Sequence, residues 1–286
     1  MAKKVAIVTD STAYIPEEWI KKYHVKIAPA VVIWDGEELR DLFDILPNDF
    51  FKRLSSSSTM PTTSQPSPAA VKACYEELVG EGYDILGIYV SSKLSGTLAS
   101  AEQAKSMMPN ANIMHLDTLA VSMGAGWAIM MAGEAALAGK SLAECHATAS
   151  EAIKHVGVYI TPDTLEFLHR GGRIGGAQRF LGTALSLKPL LYLHEGRLEP
   201  LERVRTRKKA LARLAELVVE QIKGKSPVYV AAIHANAAEE AQELLNLVTS
   251  AVPANQTLIT FVSPAVGTHT GPGTVGIAFM AGYGGK

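Results

Sequence analysis

Hydroxyl side chains that can bind an anion are concentrated in a short stretch at 61–68. Its sequence is PTTSQPSP, with no charge and no large apolar group. Proline fixes φ and lacks an N–H donor, so this stretch cannot lie inside a helix or a central strand. We predict a rigid loop that holds the hydroxyls of its threonines and serines in fixed positions.

Two further groups of hydroxyls follow predicted strands. The stretch VSSKLSGTLAS at 90–100 lies between a strand and a helix, and Asp10, Ser11 and Thr12 follow the first strand. In an open α/β sheet, ligands bind beyond the carboxyl ends of the strands, and the free N–H groups of a helix start favour an anion there. Hydroxyls before a helix also serve simply as caps. The stretches at 61–68 and 90–100 are each more elaborate than capping requires, and together they favour a binding site.

Two glycine-rich stretches carry further candidate contacts. At 263–276, SPAVGTHTGPGTVG places His269 and Thr270 among glycines, and we predict a turn between two strands. At 165–176, LEFLHRGGRIGG places Arg170 and Arg173 on either side of a glycine pair. Both arginines are candidates for contact with an anion or a partner.

Strand and helix patterns alternate over residues 1–156. VAIVTD at 5–10 and KIAPAVVIW at 26–34 read as strands, and a helix begins after Ser67. A further helix at 122–139 is almost wholly apolar and reads as buried. Such alternation predicts a parallel sheet covered by helices.

The pattern changes from residue 157 onward. A hairpin with its turn at Glu195–Gly196 is followed by helices at 207–223 and 237–250 and by three more apolar strands. These features predict a more antiparallel α+β domain over 157–286. The fold class is therefore α/β, with two domains, 1–156 and 157–286, that share a ligand cleft.

Composition limits the classes of function. The 286 residues are 48% hydrophobic and 19% charged, with a formal net charge of −1, so nothing favours nucleic acid as a partner. Cys74 and Cys145 form no CxxC and read as reduced core residues of a cytoplasmic protein. The N-terminus turns polar at once, which argues against a secretory signal. Glu134 interrupts the apolar run at 122–139, so we expect no integral membrane segment.

Cofactor and metal motifs are not found in the sequence. GEAALAGKS at 133–141 resembles a phosphate-binding loop, but five residues separate its glycines where four are required. No GxGxxG joins a strand to a helix, and the eight histidines show no HExxH spacing. We therefore expect neither a cofactor nor a metal.

Five motifs together resemble those of the DegV family. They are VTDST near the start, TSQPS at 63–67, SSKLSGT at 91–97, FLHRGGRI at 167–174 and GTHTGPG at 267–273. The resemblance runs from residue 5 to about residue 280, in the order the family shows them. It implies two α/β domains with a long-chain fatty acid, such as palmitate, in the cleft.

The same resemblance implies a function and a partner. It suggests the fatty-acid-binding subunit of a bacterial fatty acid kinase, which is not itself the catalyst. Such a subunit presents the bound acid to a separate ATP-dependent kinase subunit, which makes the acyl phosphate used for phospholipid synthesis.

The resemblance also assigns residues to the site. Thr63 and Ser95 are implied to hold the carboxylate, with His269 close to the same head group. Thr270, beside His269, completes the expected carboxylate-binding set. Arg170 and Arg173 are expected at the polar end of the ligand or on a face that docks the kinase.

Neutral hydroxyls suit a carboxylate that must remain reactive. They hydrogen-bond the anion without cancelling its charge through a cation, and such bonds favour the ionised form. Roughly 14 methylenes at ~0.8 kcal/mol each give the tail on the order of 11 kcal/mol before association costs. Candidate tail contacts are Trp127, Ile129, Met130 and Met131, although we favour ordinary core packing as the role of each.

Two other functions are consistent with parts of the sequence. Ser95, His269 and Asp10 could form the triad of a serine hydrolase or esterase, although KLSGT is not a G-x-S-x-G nucleophile elbow. The basic cluster RVRTRKK at 203–209 could meet an acidic partner or nucleic acid, or be the solvated start of a helix.

Overall fold

The chain forms three β-sheets in the computed structural model, which describes residues 4–182 and 187–285. The strands are β1 Val5–Asp10, β2 Val25–Ala28, β3 Val31–Trp34, β4 Glu37–Arg40, β5 Thr62–Ser64, β6 Asp84–Tyr89, β7 Ile113–Asp117, β8 Val156–Thr161, β9 Lys188–His194, β10 Arg197–Val204, β11 Val228–His234, β12 Gln256–Phe261 and β13 Val275–Ala281. The predicted α/β class is confirmed. The predicted end points at residues 1 and 286 lie outside the described residues, and the division at 156 stays a prediction.

Helices cover and separate these sheets. They are α1 Glu17–Lys22, α2 Pro47–Ser56, α3 Pro68–Gly80, α4 Thr97–Ser106, α5 Met123–Leu137, α6 Leu142–Ile153, α7 Glu166–Arg170, α8 Arg207–Ile222, α9 Ala238–Ala251 and α10 Pro264–Thr270. Short 3₁₀ turns cover Ser11–Ala13 and Gly175–Phe180. Helix α3 begins as predicted, because the hydroxyl of Ser67 accepts from the N–H of Ala70.

The first sheet is parallel, with the order β2-β1-β6-β7. Strand β1 lies inside the sheet and is buried along its whole length, which explains its continuous apolar sequence. Because all four strands run the same way, the segments after them meet at one edge. That edge carries the residues that follow β1, β6 and β7.

The predicted strand at 26–34 is in fact two strands in different sheets. Strand β2 ends at Ala28, and β3 begins at Val31 in a small antiparallel sheet of order β4-β3-β5. Pro29 lies between them and cannot donate to a ladder. Strand β5 contains Thr63, which pairs with Val32 at the edge of this sheet. Part of the predicted rigid loop is therefore an edge strand.

The third sheet has six strands in the order β10-β9-β8-β13-β11-β12. Its neighbouring strands are antiparallel except for the parallel pair β11 and β12. The hairpin of β9 and β10 turns at Glu195–Gly196, as predicted, and both residues have the positive φ that such a tight turn requires.

Helix α5 lies between the first and third sheets. It contacts β1 and β6 on one side and β8, β11 and β13 on the other. Every residue from Met123 to Gly133 is buried, and Nε1 of Trp127 donates to the carbonyl of Ala278 at 3.1 Å. The candidate tail contacts on this helix are core residues, the role that the sequence favoured, because both of its faces are covered by sheets.

The described residues contain no helix with both the length and the apolar character needed to cross a membrane. Helix α5, which the sequence singles out as the most apolar segment, is used to join the two main sheets.

Candidate functional site

An apolar cavity lies between the carboxyl edge of the parallel sheet and the third sheet. Its free space is about 890 Å³ when the open solvent at its mouth is included. The parallel sheet contributes the segments after β1, β6 and β7, and the third sheet contributes inward-facing side chains of β8, β10 and β11. Its apolar wall includes Val90, Val121, Val158, Ile160, Leu198 and Ile233. Such a wall suits a hydrocarbon group.

Polar side chains from several elements gather at this cavity. Thr63 and Gln65 come from the TSQPS stretch, Ser95 from the loop before α4, and His269 from α10. Gln65 lies against Gly96, the residue next to Ser95, so the two hydroxyl loops touch. Sequence reasoning did not select Gln65, although it stands inside the quoted motif.

Thr63 and His269 form a direct hydrogen bond. Oγ1 of Thr63 lies 2.7 Å from Nε2 of His269. The predicted turn at 263–276 contains helix α10, and His269 lies in its last turn. Ser263 caps this helix by accepting from the N–H of Val266. The helix was missed because seven residues with a glycine and β-branched threonines give no helical pattern.

The imidazole of His269 is held neutral. Burial, with a smaller contribution from the positive charge of Arg173, lowers its pKa to about 4. Its Nδ1 atom is buried and has no hydrogen-bond partner among the described residues. A neutral ring with one bonded nitrogen can donate from Nε2 to Thr63, which leaves the proton of the Thr63 hydroxyl free for a ligand.

Ser95 and Thr270 also line the cavity. Oγ of Ser95 lies 2.9 Å from Oγ1 of Thr97, and the loop continues directly into α4. The hydroxyl of Thr270 donates to the carbonyl of Val266 within α10. Both hydroxyls therefore keep acceptor lone pairs, and Ser95 can rotate its proton between Thr97 and the cavity.

Arg173 and Arg170 occupy different places. Arg173 lines the cavity, where Nε donates to the carbonyl of Leu94 at 3.0 Å and Nη1 donates to that of Gly171 at 2.7 Å. The Arg170 side chain is 59% exposed and pairs with Glu166 one turn earlier. A cation is thus part of the cavity wall, and of the two places predicted for these arginines, Arg173 lies at the polar end.

The predicted hydrolase triad is not assembled. Nε2 of His269 bonds Thr63, and the hydroxyl of Ser95 bonds Thr97. The carboxylate of Asp10 accepts from the N–H groups of Thr12 and Val90. A Ser–His–Asp mechanism requires the serine and the aspartate on opposite nitrogens of the imidazole, and neither contact is present.

Asp41 connects three parts of the site. One oxygen accepts from the Ser11 hydroxyl at 2.6 Å, and the other accepts from the N–H of Ala265, near the start of α10. The side chain is fully buried, and burial raises its pKa to about 6. Asp41 was not predicted, because nothing in the stretch DLFDILP distinguishes the buried Asp41 from the exposed Asp44.

The hairpin of the third sheet also touches the loop of Ser95. The hydroxyl of Ser91 donates to the carbonyl of Gly196 at 2.9 Å, between a loop of the first sheet and the β9–β10 turn. Arg173, in the segment after α7, makes a second contact with this loop, to the carbonyl of Leu94. The loop that carries Ser95 is therefore fixed at two points, to the β9–β10 turn and to the segment after α7.

The basic cluster at 203–209 has two kinds of members. Arg207 is structural, because its guanidinium bonds Glu240 and the carbonyls of Thr161 and Gly273. Arg205, Lys208 and Lys209 are exposed around the start of α8, and Arg203 is exposed with its guanidinium over the ring of Phe180. Only the exposed members are available to a partner.

Within residues 4–182 and 187–285, no group of three or more His, Cys, Asp or Glu side chains is placed to hold a metal ion. Asp10 and Asp41, the fully buried carboxylates of the described residues, accept hydrogen bonds from donors of the protein.

By fold and site this is an α/β protein with an apolar cavity, polar at one end, between a parallel and a mixed sheet. A family sequence model described as "Uncharacterised protein, DegV family" matches residues 4–282. The chain belongs to the DegV family.

Relatives with solved structures share the whole fold. The chain is 35% identical to Protein DegV of Bacillus subtilis, over 96% of this chain and 98% of that protein. The structure described as a fatty acid binding protein, DegV from B. subtilis, superposes with a TM-score of 0.88 at 34% identity, covering 98% of this chain and 100% of the other. A Thermus thermophilus family member, described by its fatty acid binding, gives a TM-score of 0.92 at 34% identity, covering 97% and 99% of the two chains.

Proposed function

We propose that this protein binds a long-chain fatty acid in the cavity and presents its carboxylate to a separate ATP-dependent kinase. The observation that carries the proposal is the apolar cavity with Thr63, Ser95, His269 and Arg173 together at its polar side. Relatives at 34% identity are described as fatty acid binding, which supports the same ligand class here.

Each polar group has a distinct proposed role. Thr63 donates its hydroxyl proton to the carboxylate, because His269 can supply the Nε2 proton that its oxygen accepts. Ser95 donates to the second carboxylate oxygen by turning its proton away from Thr97. Arg173 supplies positive charge that keeps the acid ionised. Thr270 lines the same site as a further contact.

The ionised carboxylate is the reactive form for the proposed partner. Its oxygen would attack the terminal phosphorus of ATP on the kinase, which forms the acyl phosphate for phospholipid synthesis and releases ADP. This protein contributes binding and orientation and no catalytic group. The free thiols of Cys74 and Cys145 agree with the cytoplasm as the place of action.

The proposed docking face comprises Arg170 and the exposed basic residues Arg205, Lys208 and Lys209. These side chains lie outside the cavity wall, so they can meet a partner without disturbing the ligand. Charge steering by such a face acts mainly on the rate of association.

Native mass spectrometry of the purified protein tests the ligand class. We expect a bound mass that matches a long-chain fatty acid, lost on delipidation and restored by palmitate. Isothermal titration of the delipidated protein with palmitate should show binding that depends on the carboxylate. Palmityl alcohol, which has the same chain and no charge, is the control. Absence of any palmitate binding by the folded, delipidated protein would refute the proposal.

A further inference from the structure

The two glycines of the sequence HRGGR, Gly171 and Gly172, are glycine for different structural reasons. Gly172 has φ +70° and open space around it, so it is glycine because the backbone is left-handed there. Gly171 has φ −77° and ψ −5°, which any L-residue adopts. The backbone therefore gives no reason for glycine at 171.

A steric restriction explains the glycine at position 171. A Cβ built there would fall against Nδ1 of His269, closer than real Cβ contacts come, and 3.1 Å from the carbonyl of Phe167. The imidazole thus rests directly on the Gly171 backbone, with Nδ1 facing it and Nε2 on Thr63. The carbonyl of the same Gly171 accepts from Nη1 of Arg173 at 2.7 Å.

We propose that Gly171 is a positioning residue that places both His269 and Arg173 at the polar side of the cavity. A side chain at 171 would push the ring away from its place and so remove the partner of the Thr63 hydroxyl. This inference rests on the proposed function only for the identity of the ligand, which is a long-chain fatty acid. The placement of the ring is a property of the free protein.

The test compares Gly171→Ala with Gly172→Ala in the full-length protein. In the ligand-free Gly171→Ala protein, the imidazole resonances of His269 should shift, and their titration midpoint should rise towards the ordinary value. Palmitate affinity should fall by about tenfold, the size of one lost hydrogen bond to a charged group. Gly172→Ala strains a left-handed residue, so it should lower thermal stability while the His269 resonances and palmitate affinity stay as in the wild type.

A double variant separates displacement of His269 from a general effect on folding. In a His269→Ala background the contact with the imidazole is gone and only the 3.1 Å approach to the carbonyl of Phe167 remains, so adding Gly171→Ala should cause little further loss of palmitate affinity. If Gly171→Ala alone fails to fold, the double variant should fold as well as His269→Ala does. Unshifted His269 resonances in Gly171→Ala would overturn the inference. Fully additive losses of affinity, or a double variant that stays unfolded beside a folded His269→Ala, would overturn it too.

The two proposals fail in different ways. Shifted His269 resonances in a protein that binds no palmitate would refute fatty acid binding and uphold the role of Gly171. Palmitate binding by a Gly171→Ala protein with unshifted His269 resonances would uphold fatty acid binding and refute the role of Gly171.

Discussion

The hydroxyl of Thr63 and the imidazole of His269 lie 2.7 Å apart, although 206 residues of chain separate them. This bond joins the edge strand β5 to the last turn of α10. The polar side of the cavity is therefore assembled only when the small antiparallel sheet and α10 come together.

Removing the hydroxyls of Thr63 and Ser95 tests their proposed contact with the ligand. Thr63→Val and Ser95→Ala should each weaken palmitate binding by about 1–3 kcal/mol, because a buried carboxylate oxygen loses a donor. The double variant should lose less than the sum if both hydroxyls serve the same carboxylate. Isothermal titration measures these affinities.

Neighbouring hydroxyls provide the controls for this pair. Thr62 and Ser92 are exposed and lie outside the cavity wall, so Thr62→Val and Ser92→Ala should leave the affinity unchanged. Wild-type affinity in the folded Thr63 and Ser95 double variant would remove both residues from the site.

Arg173 should contribute to the low pKa of His269. Because burial and the nearby guanidinium lower the pKa of His269 to about 4, the ring is neutral throughout the physiological range. The stability that comes from this neutral ring is complete above the unfolded pKa of about 6.5 and is lost as pH falls towards 4. Arg173→Gln should raise the midpoint measured by NMR, and the exposed Arg170→Gln should not. Equal midpoints in both variants would mean that burial alone sets the pKa.

Asp41 should make the unfolding free energy depend on pH. Its carboxyl has a native pKa of about 6 instead of 3.8, so the native state binds the proton more tightly than the unfolded chain does. Stability contributed by the protonated group is present below about pH 4 and decreases as pH rises to about 6, by about 3 kcal/mol. Urea unfolding from pH 4 to 7 should show a smaller decrease for Asp41→Asn.

Asp44 is the matched control for Asp41. Arg40 lowers the pKa of Asp44 to about 2, so this carboxylate stays ionised across the same range. Asp44→Asn should lower stability by a constant amount between pH 4 and 7. A constant difference between the wild type and Asp41→Asn would contradict the account of Asp41.

The contact between Ser91 and Gly196 should slow release of the ligand. Ser91→Ala removes the hydroxyl that bonds the hairpin turn at 2.9 Å. A net loss of about 1 kcal/mol predicts palmitate dissociation about fivefold faster in stopped-flow displacement. Ser92→Ala, one residue further along the loop, should dissociate at the wild-type rate. No acceleration in Ser91→Ala would show that the hairpin does not limit exit.

The exposed basic residues should matter only when the kinase is present. Reversing the charge of Arg205, Lys208 and Lys209 to Glu should leave palmitate affinity unchanged and reduce acyl-phosphate formation about tenfold at low salt. Raising salt should bring the wild-type rate towards that of the variant.

The opposite end of α8 supplies the control for docking. Lys223→Glu and Lys225→Glu change charge at exposed positions just after that helix and should have no effect on the kinase rate. Equal losses at both ends of the helix would indicate a nonspecific effect of net charge.

Local signals made the hydroxyl loops and the hairpin turn predictable. Proline and capping residues mark the stretch around Thr63, and Glu195–Gly196 is a typical tight turn between two apolar runs. The segments of Thr63, Ser95 and His269 could be assigned to the site because their motifs resemble those of the family.

Long-range burial explains what the sequence did not predict. The sequence near Asp41 does not indicate that Ser11 and Ala265 donate hydrogen bonds to its carboxylate. The apolar residues of α5 are suited to a ligand-binding wall or to a core, and only the contacts of the helix with two sheets show that they form a core. Placement of Arg173 inside the cavity and Arg170 outside it depends on the helix end between them.

The position of α5 between the two main sheets restricts how the ligand can exchange. Swinging the sheets apart as rigid bodies would bring Trp127 and its buried neighbours into water, at about 1.5–3 kcal/mol for each large side chain. It would also break the bond from Trp127 to the carbonyl of Ala278. A ligand of the cavity must therefore enter and leave through local displacement of peripheral segments, on the nanosecond-to-microsecond scale of loop motions, while the two sheets and α5 remain a single rigid unit.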